Sequence, residues 1–135
     1  MTTQQLIQTY QLSFVNKQIQ ANPDPNYYYL KFPETFHYLL TEFLYVWNDS
    51  SDIDEILIPK LEGILNGVIE KGDSGANSIY IDVTQTETDF YAEDSELPDF
   101  TIPTQDFYDI LVLWRNFLNE APLDGSKVGD SNPMV

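Results

Sequence analysis

The stretch "SIYIDVTQTETDFYAED", residues 78–94, is where the period of the chain changes. Ile79, Ile81 and Val83 alternate with Tyr80 and Asp82, the two-residue period of a half-buried strand. "TQTET" can turn the chain, and "TDFYAED" can return antiparallel, with Thr88, Phe90 and Ala92 on one face and Asp89, Tyr91 and Glu93 on the other. A hairpin is therefore expected here.

On either side the period reads as helical. Residues 3–20 place Leu6, Tyr10, Phe14 and Lys17 on one side and Leu12, Val15 and Ile19 on another, which predicts a first helix ended by "NPDPN" at 22–26. The aromatic run Tyr27–Phe32 follows as a short extended segment or loop. Pro33 suits the first turn of a second helix, whose stripe is Phe36, Leu39, Leu40, Phe43, Leu44 and Trp47. Ser50 or Ser51 would cap a third helix running to about Glu70, broken or kinked at Pro59 for want of a backbone donor. "KGDSGAN", 71–77, reads as a turn-rich exit. After the proline-bounded linker "LPDFTIP", Thr104 would cap a last helix bearing Phe107, Ile110, Leu111, Trp114, Phe117 and Leu118. The expected fold is α+β: a mainly helical single domain over 1–121, with about four helices and one small antiparallel β-hairpin sheet, and a free tail over 122–135.

Composition narrows the function classes. A chain of 135 residues, 42% hydrophobic, is enough for one core and too short for two domains. Cysteine is absent, so disulfides and thiolate-ligated zinc are excluded; with no basic leader or long apolar run at the N-terminus, a cytoplasmic protein outside the membrane is expected. Nucleophilic catalysis lacks a cysteine, and His37 is the single histidine, one position past a core-facing Phe36. No phosphate-cradling glycine motif or hydrolase elbow occurs. "NDSSDIDE" at 48–55 lacks the alternating carboxylates and central glycine of a calcium loop and is better explained as helix capping. A carboxylate pair for sugar hydrolysis needs a deep groove that so small a chain does not offer. The expectation is a protein that is not an enzyme and takes no cofactor or metal.

Charge is the unusual feature. Twenty-two acids against six bases give a formal charge of −16, which repels nucleic acid and anionic lipid and draws in a basic protein. Between Lys71 and Arg115 there is no base, while ten acids run from Asp73 to Asp109. Asp106 and Asp109 suit a helix N-terminus. The others repel one another: two carboxylates about 6 Å apart at an effective dielectric of ~40 cost on the order of 1 kcal/mol. A partner that neutralises them would recover that cost. The candidate partner-binding residues are Asp82, Glu87, Asp89, Tyr91, Glu93, Asp94, Glu96 and Asp99, with aromatic rings interleaved among the acids. An alternative is a non-catalytic adaptor or scaffold subunit that binds through the aromatic segment 26–32 and responds to substitution of Tyr28 or Tyr29.

The segment "NSIYIDVTQTETDFYAEDSELPDFTIPTQDFYDILVLWRNFLNE", 77–120, joins strand, return strand, proline-bounded linker and closing helix. This layout resembles that of small acidic immunity proteins encoded beside bacterial contact-dependent or polymorphic toxins. The resemblance implies a cytoplasmic antitoxin that binds one cognate toxin domain, often a nuclease, and blocks it. Such families differ in the surface they use, so the candidate residues rest on charge and aromatic placement.

Overall fold

The computed structural model describes residues 1–20, 27–120 and 127–128. Helix α1 (Thr3–Tyr10) opens with a capping box: the Gln5 N–H donates to Thr2 Oγ1 at 3.1 Å, and the Thr2 N–H donates to Gln5 Oε1 at 2.8 Å. It ends at Gln11, which takes a left-handed backbone. Residues 13–20 are then not helix but strand β1 (Ser13–Gln20), paired antiparallel with β2 (Tyr27–Glu34) in register Ser13↔Glu34 to Gln20↔Tyr27. Apolar Phe14, Val15 and Ile19 fit a helical face, but eight cross-strand partners decide the matter. Strand β7 (Lys127–Val128) adds to β2 at Tyr27 and Tyr28; among the described residues no strand pairs with the other side of β2 at Pro33, where proline is tolerated.

Helix α2 (Tyr38–Val46) accordingly starts five residues after Pro33, and its cap is the lone histidine: the Leu39 N–H donates to His37 Nδ1 at 3.1 Å. Leu39, Leu40, Phe43 and Leu44 are buried, whereas Phe36 lies before the helix and is exposed. Asp49, rather than Ser50 or Ser51, caps α3 (Ser50–Asp52) by accepting the Ser51 N–H at 2.8 Å. A π-helical turn, Ile53–Leu57, leads into α4 (Ile58–Leu65). This wide turn falls just before Pro59, whose ring would crowd the carbonyl four residues back in a regular helix. The helix stops at Leu65, not Glu70, in a Schellman motif. Gly67 sits at φ 78°, with its N–H on Ile64 O and the Val68 N–H on Gly63 O.

Residues 71–76 form a strand, β3 (Lys71–Ala76), where a turn was expected. Its glycines bring little strand propensity. Two side chains from elsewhere hold its outer edge: Trp47 Nε1 donates to Gly75 O at 3.0 Å and Lys60 Nζ to Asp73 O at 2.7 Å. Strands β4 (Ile79–Thr84), β5 (Glu87–Tyr91) and β6 (Phe100–Pro103) complete a four-stranded antiparallel sheet in the order β3-β4-β5-β6. The linker over 97–103 thus contributes a strand. Two antiparallel sheets, one containing β1, β2 and β7 and the other these four strands, replace the single hairpin of a mainly helical domain. The chain is α+β with sheet and helix in comparable measure.

Helix α5 (Thr104–Asn119) closes the core. Thr104 is its first residue rather than its cap; its buried hydroxyl donates to Thr84 O at 2.7 Å and shares a 2.9 Å hydrogen bond with the Thr88 hydroxyl. The inward side chains Ile79, Ile81, Val83, Thr88, Phe90 and Ile102 are buried beneath α2, α4 and α5. Phe43, Phe90 and Phe107 meet edge-to-face with centroids 5.4–6.0 Å apart. Trp114, fully buried, donates from Nε1 to Trp47 O at 2.8 Å and packs edge-on against Phe14 of the first sheet, with centroids 5.0 Å apart. Tyr10 joins α1 to α5 by donating its hydroxyl to Asp106 Oδ2 at 2.5 Å; burial, then that bond, pushes its phenol above its ordinary range.

Residues 122–126 and 129–135 of the expected tail lie outside the described residues. Among the described residues, no helix is long and apolar enough to cross a membrane.

Candidate partner-binding face

With one face of the four-stranded sheet buried, strand alternation sends Lys71, Asp73, Tyr80, Asp82, Thr84, Glu87, Asp89, Tyr91 and Thr101 to the other. The register then aligns carboxylates. Asp73 is the Cα partner of Asp82 on β4, and Asp82 is the partner of Asp89 on β5, so three aspartates stand side by side across three strands. Like charges directly opposite are destabilising. The adjacent pair on the same face is Tyr80↔Tyr91, with ring centroids 5.8 Å apart.

Hydroxyls supply part of the solvation these carboxylates need. Tyr80 donates to Asp82 Oδ1 at 2.8 Å and approaches Asp73 Oδ2 at 3.3 Å; Thr101 donates to Asp89 Oδ1 at 2.7 Å. The bond to Asp82, ahead of desolvation and the neighbouring charges, pushes the Tyr80 phenol up to about 12. Tyr91 is raised as well, by desolvation first and then by the Asp89 and Asp82 charges. Both phenols therefore stay protonated near neutrality and can donate to the carboxylates. A cavity of about 450 Å³ opens on this face, lined by Lys71, Asp73, Tyr80, Asp82, Thr84 and Asp89 among others. Lys71 forms no ion pair with the row; among the described residues the one ion pair joins Arg115 to Asp54. No three His, Asp or Glu side chains among the described residues are placed to hold a metal ion.

Of the residues singled out from sequence, Asp82, Asp89, Tyr91 and Glu87 come together on this face, with Glu87 at its far end opposite Pro103. Glu93, Asp94 and Glu96 are exposed on the loop joining β5 to β6, and Asp94 takes a left-handed backbone there. Asp99 is different. Its carboxylate folds back to accept the Ala92 N–H at 2.9 Å while its own N–H donates to Phe90 O, which closes the loop. The Ala92 N–H, then the Ser95 side chain and more weakly the His37 charge, hold the Asp99 carboxyl below its ordinary value. A depressed folded-state value stabilises the loop above the ordinary carboxylate range, and that contribution is lost as pH falls through the folded value. As pH falls below the ordinary carboxylate range the Ala92 amide is therefore expected to lose protection, measured against its intrinsic exchange rate, and Asp99→Ala, which removes the acceptor, should show little protection already at neutral pH. Equal protection of Ala92 in both proteins would show that the latch does not hold the loop.

Asp73 is not among the sequence candidates, because its segment reads as a turn; its pairing with Asp82 comes from the β3–β4 register, on an edge strand that Trp47 and Lys60 cap. In the aromatic segment 26–32, Tyr29 and Lys31 are buried, and Lys31 Nζ donates to Asn16 Oδ1 at 2.8 Å and lies over the Phe117 ring. Tyr29 is thus not a surface contact. Asn26 and the Tyr28 side chain lie outside the described residues. The exposed aromatics nearby are instead Phe36, Tyr38 and Tyr45. Comparison of the chain with protein-family models, with curated proteins and with solved structures gives no match.

Proposed function

We propose that this chain is an inhibitor of the immunity-protein kind, which binds a basic protein domain, such as a nuclease toxin, and blocks its phosphate-binding cleft in the cytoplasm. The observation that carries this reading is the aligned Asp73–Asp82–Asp89 row on an outward sheet face, with no ion pair to the row among the described residues. A row of like charges weakens the sheet it stands on, and a cationic partner offsets that cost. A mask of this kind needs no catalytic group, cofactor or metal of its own. Glu93, Asp94 and Glu96 extend the negative field along the β5–β6 loop.

The test is capture on the immobilised chain from lysate of the organism that carries it, at low salt, with elution by a salt step. A single basic, nucleic-acid-processing partner is expected in the eluate, and adding back the chain should suppress that partner's activity. An eluted partner that works equally well with and without the chain would remove the inhibitor reading.

A further inference from the structure

We infer that two copies of the chain pair through the outer edge of β1, antiparallel across a twofold axis on Val15, so that their first sheets become one continuous sheet. This goes beyond the inhibitor reading and uses a different sheet. Strand β1 runs eight residues at the end of the order β1-β2-β7, and among the described residues no strand pairs with its outer side. Such an edge is a template for a further strand, and proteins usually blunt it. Both edges of the other sheet are blunted: Trp47 and Lys60 bond to carbonyls of β3, and β6 has four residues and ends on Pro103. Strand β1 carries one charge, Lys17.

Charge selects a second copy as the occupant. With 22 acids, two copies repel across most faces, but residues 1–23 hold no acid and Lys17 is their only charged side chain. Alternation turns Phe14 inward against Trp114 and Phe117, and Asn16 onto the buried Lys31, which leaves Ser13, Val15 and Lys17 outward. Their cross-strand partners are Glu34, Phe32 and Leu30. With the axis on Val15, the middle row reads Phe32, Val15, Val15, Phe32, half-buried apolar side chains that gain cover. One copy's Lys17 then stands opposite the other's Ser13, with Glu34 next beyond that serine. Two strand spacings, about 10 Å, separate Lys17 from that Glu34, and the two long side chains can close this span over the small serine. The twofold axis repeats the contact. Within its own chain Lys17 forms no ion pair among the described residues; its Nζ lies over the Phe32 ring at 4.8 Å. Pairing consumes the β1 edge of both copies, so the assembly closes at two.

Sedimentation of the full chain, as its concentration rises through the micromolar range, should show a species of twice the chain's mass. Lys17→Glu is expected to weaken that dimer about tenfold or more, and Lys17→Glu/Glu34→Lys to restore it to within about threefold of the wild type. The chain has no cysteine, so single cysteines report the register. Val15→Cys sets the two thiols opposite each other, with Cβ atoms about 5 Å apart, and mild oxidation should cross-link the copies. Ser13→Cys, more exposed on the same face, holds its thiols about 14 Å apart along the strands and should cross-link about tenfold more slowly or less. A chain that stays monomeric throughout, equal cross-linking at the two positions, or a charge swap no tighter than Lys17→Glu would overturn the pairing. Each of those results leaves the inhibitor reading untouched, since that reading stands on the other sheet.

Discussion

Replacing Trp114 with alanine is expected to destabilise the chain by about 3–5 kcal/mol, the range for emptying a large buried aromatic site. Trp114 lies where three parts of the fold meet. It belongs to α5, donates its indole N–H to the last turn of α2 at Trp47 O, and packs edge-on against Phe14 of β1. Alanine leaves a cavity bordered by Phe14 and Phe117 and strips Trp47 O of its side-chain donor. Set against a typical domain stability of about 5–15 kcal/mol, the loss takes the protein close to unfolding. Urea denaturation measures it directly. A change below about 1 kcal/mol would mean that the first sheet and α5 do not share a core through this residue.

The second large effect has opposite signs in stability and in binding. Asp73→Asn/Asp82→Asn/Asp89→Asn removes the like-charge row yet keeps an acceptor oxygen for Tyr80 and Thr101. Relief of cross-strand repulsion at partly exposed sites should raise stability by about 0.5–1.5 kcal/mol. The same variant is expected to lose about 100-fold or more in affinity for the captured partner, since charge pairs at the centre of an interface each contribute heavily. A face kept acidic only for solubility predicts unchanged affinity. Thermal unfolding and titration of the partner on one sample separate the two possibilities.

How far the sequence reveals this molecule depends on where each element draws its support. The β4–β5 hairpin and α5 are legible because their apolar residues follow one period and pack on one side: Ile79, Ile81, Val83 and Phe90 in the sheet, Phe107 to Leu118 in the helix. Strand β1 is not, since Phe14, Val15 and Ile19 satisfy both periods and its partner lies beyond a proline-rich stretch. Strand β3 pairs with β4 across the two-residue turn Asn77–Ser78, but its glycines read as a loop, and the bonds from Trp47 and Lys60 that cap its outer edge come from distant helices. The candidate face inherits the same limits. Asp82 and Asp89 were readable from alternation; Asp73 was not, because its strand was not. Asp99 carries the same charge as its neighbours, and only the fold shows that its acceptors are taken by the Ala92 backbone.

The most direct test of a partner-binding acidic face is the association rate of the captured partner with the wild-type chain and with Asp73→Asn/Asp82→Asn/Asp89→Asn, followed across rising salt. Electrostatic docking on this face requires that the wild-type rate fall steeply, by about tenfold or more between low and high salt, while the variant starts slower and falls less steeply. Equal rates for the two proteins at every salt concentration would contradict it and return the three aspartates to solvent.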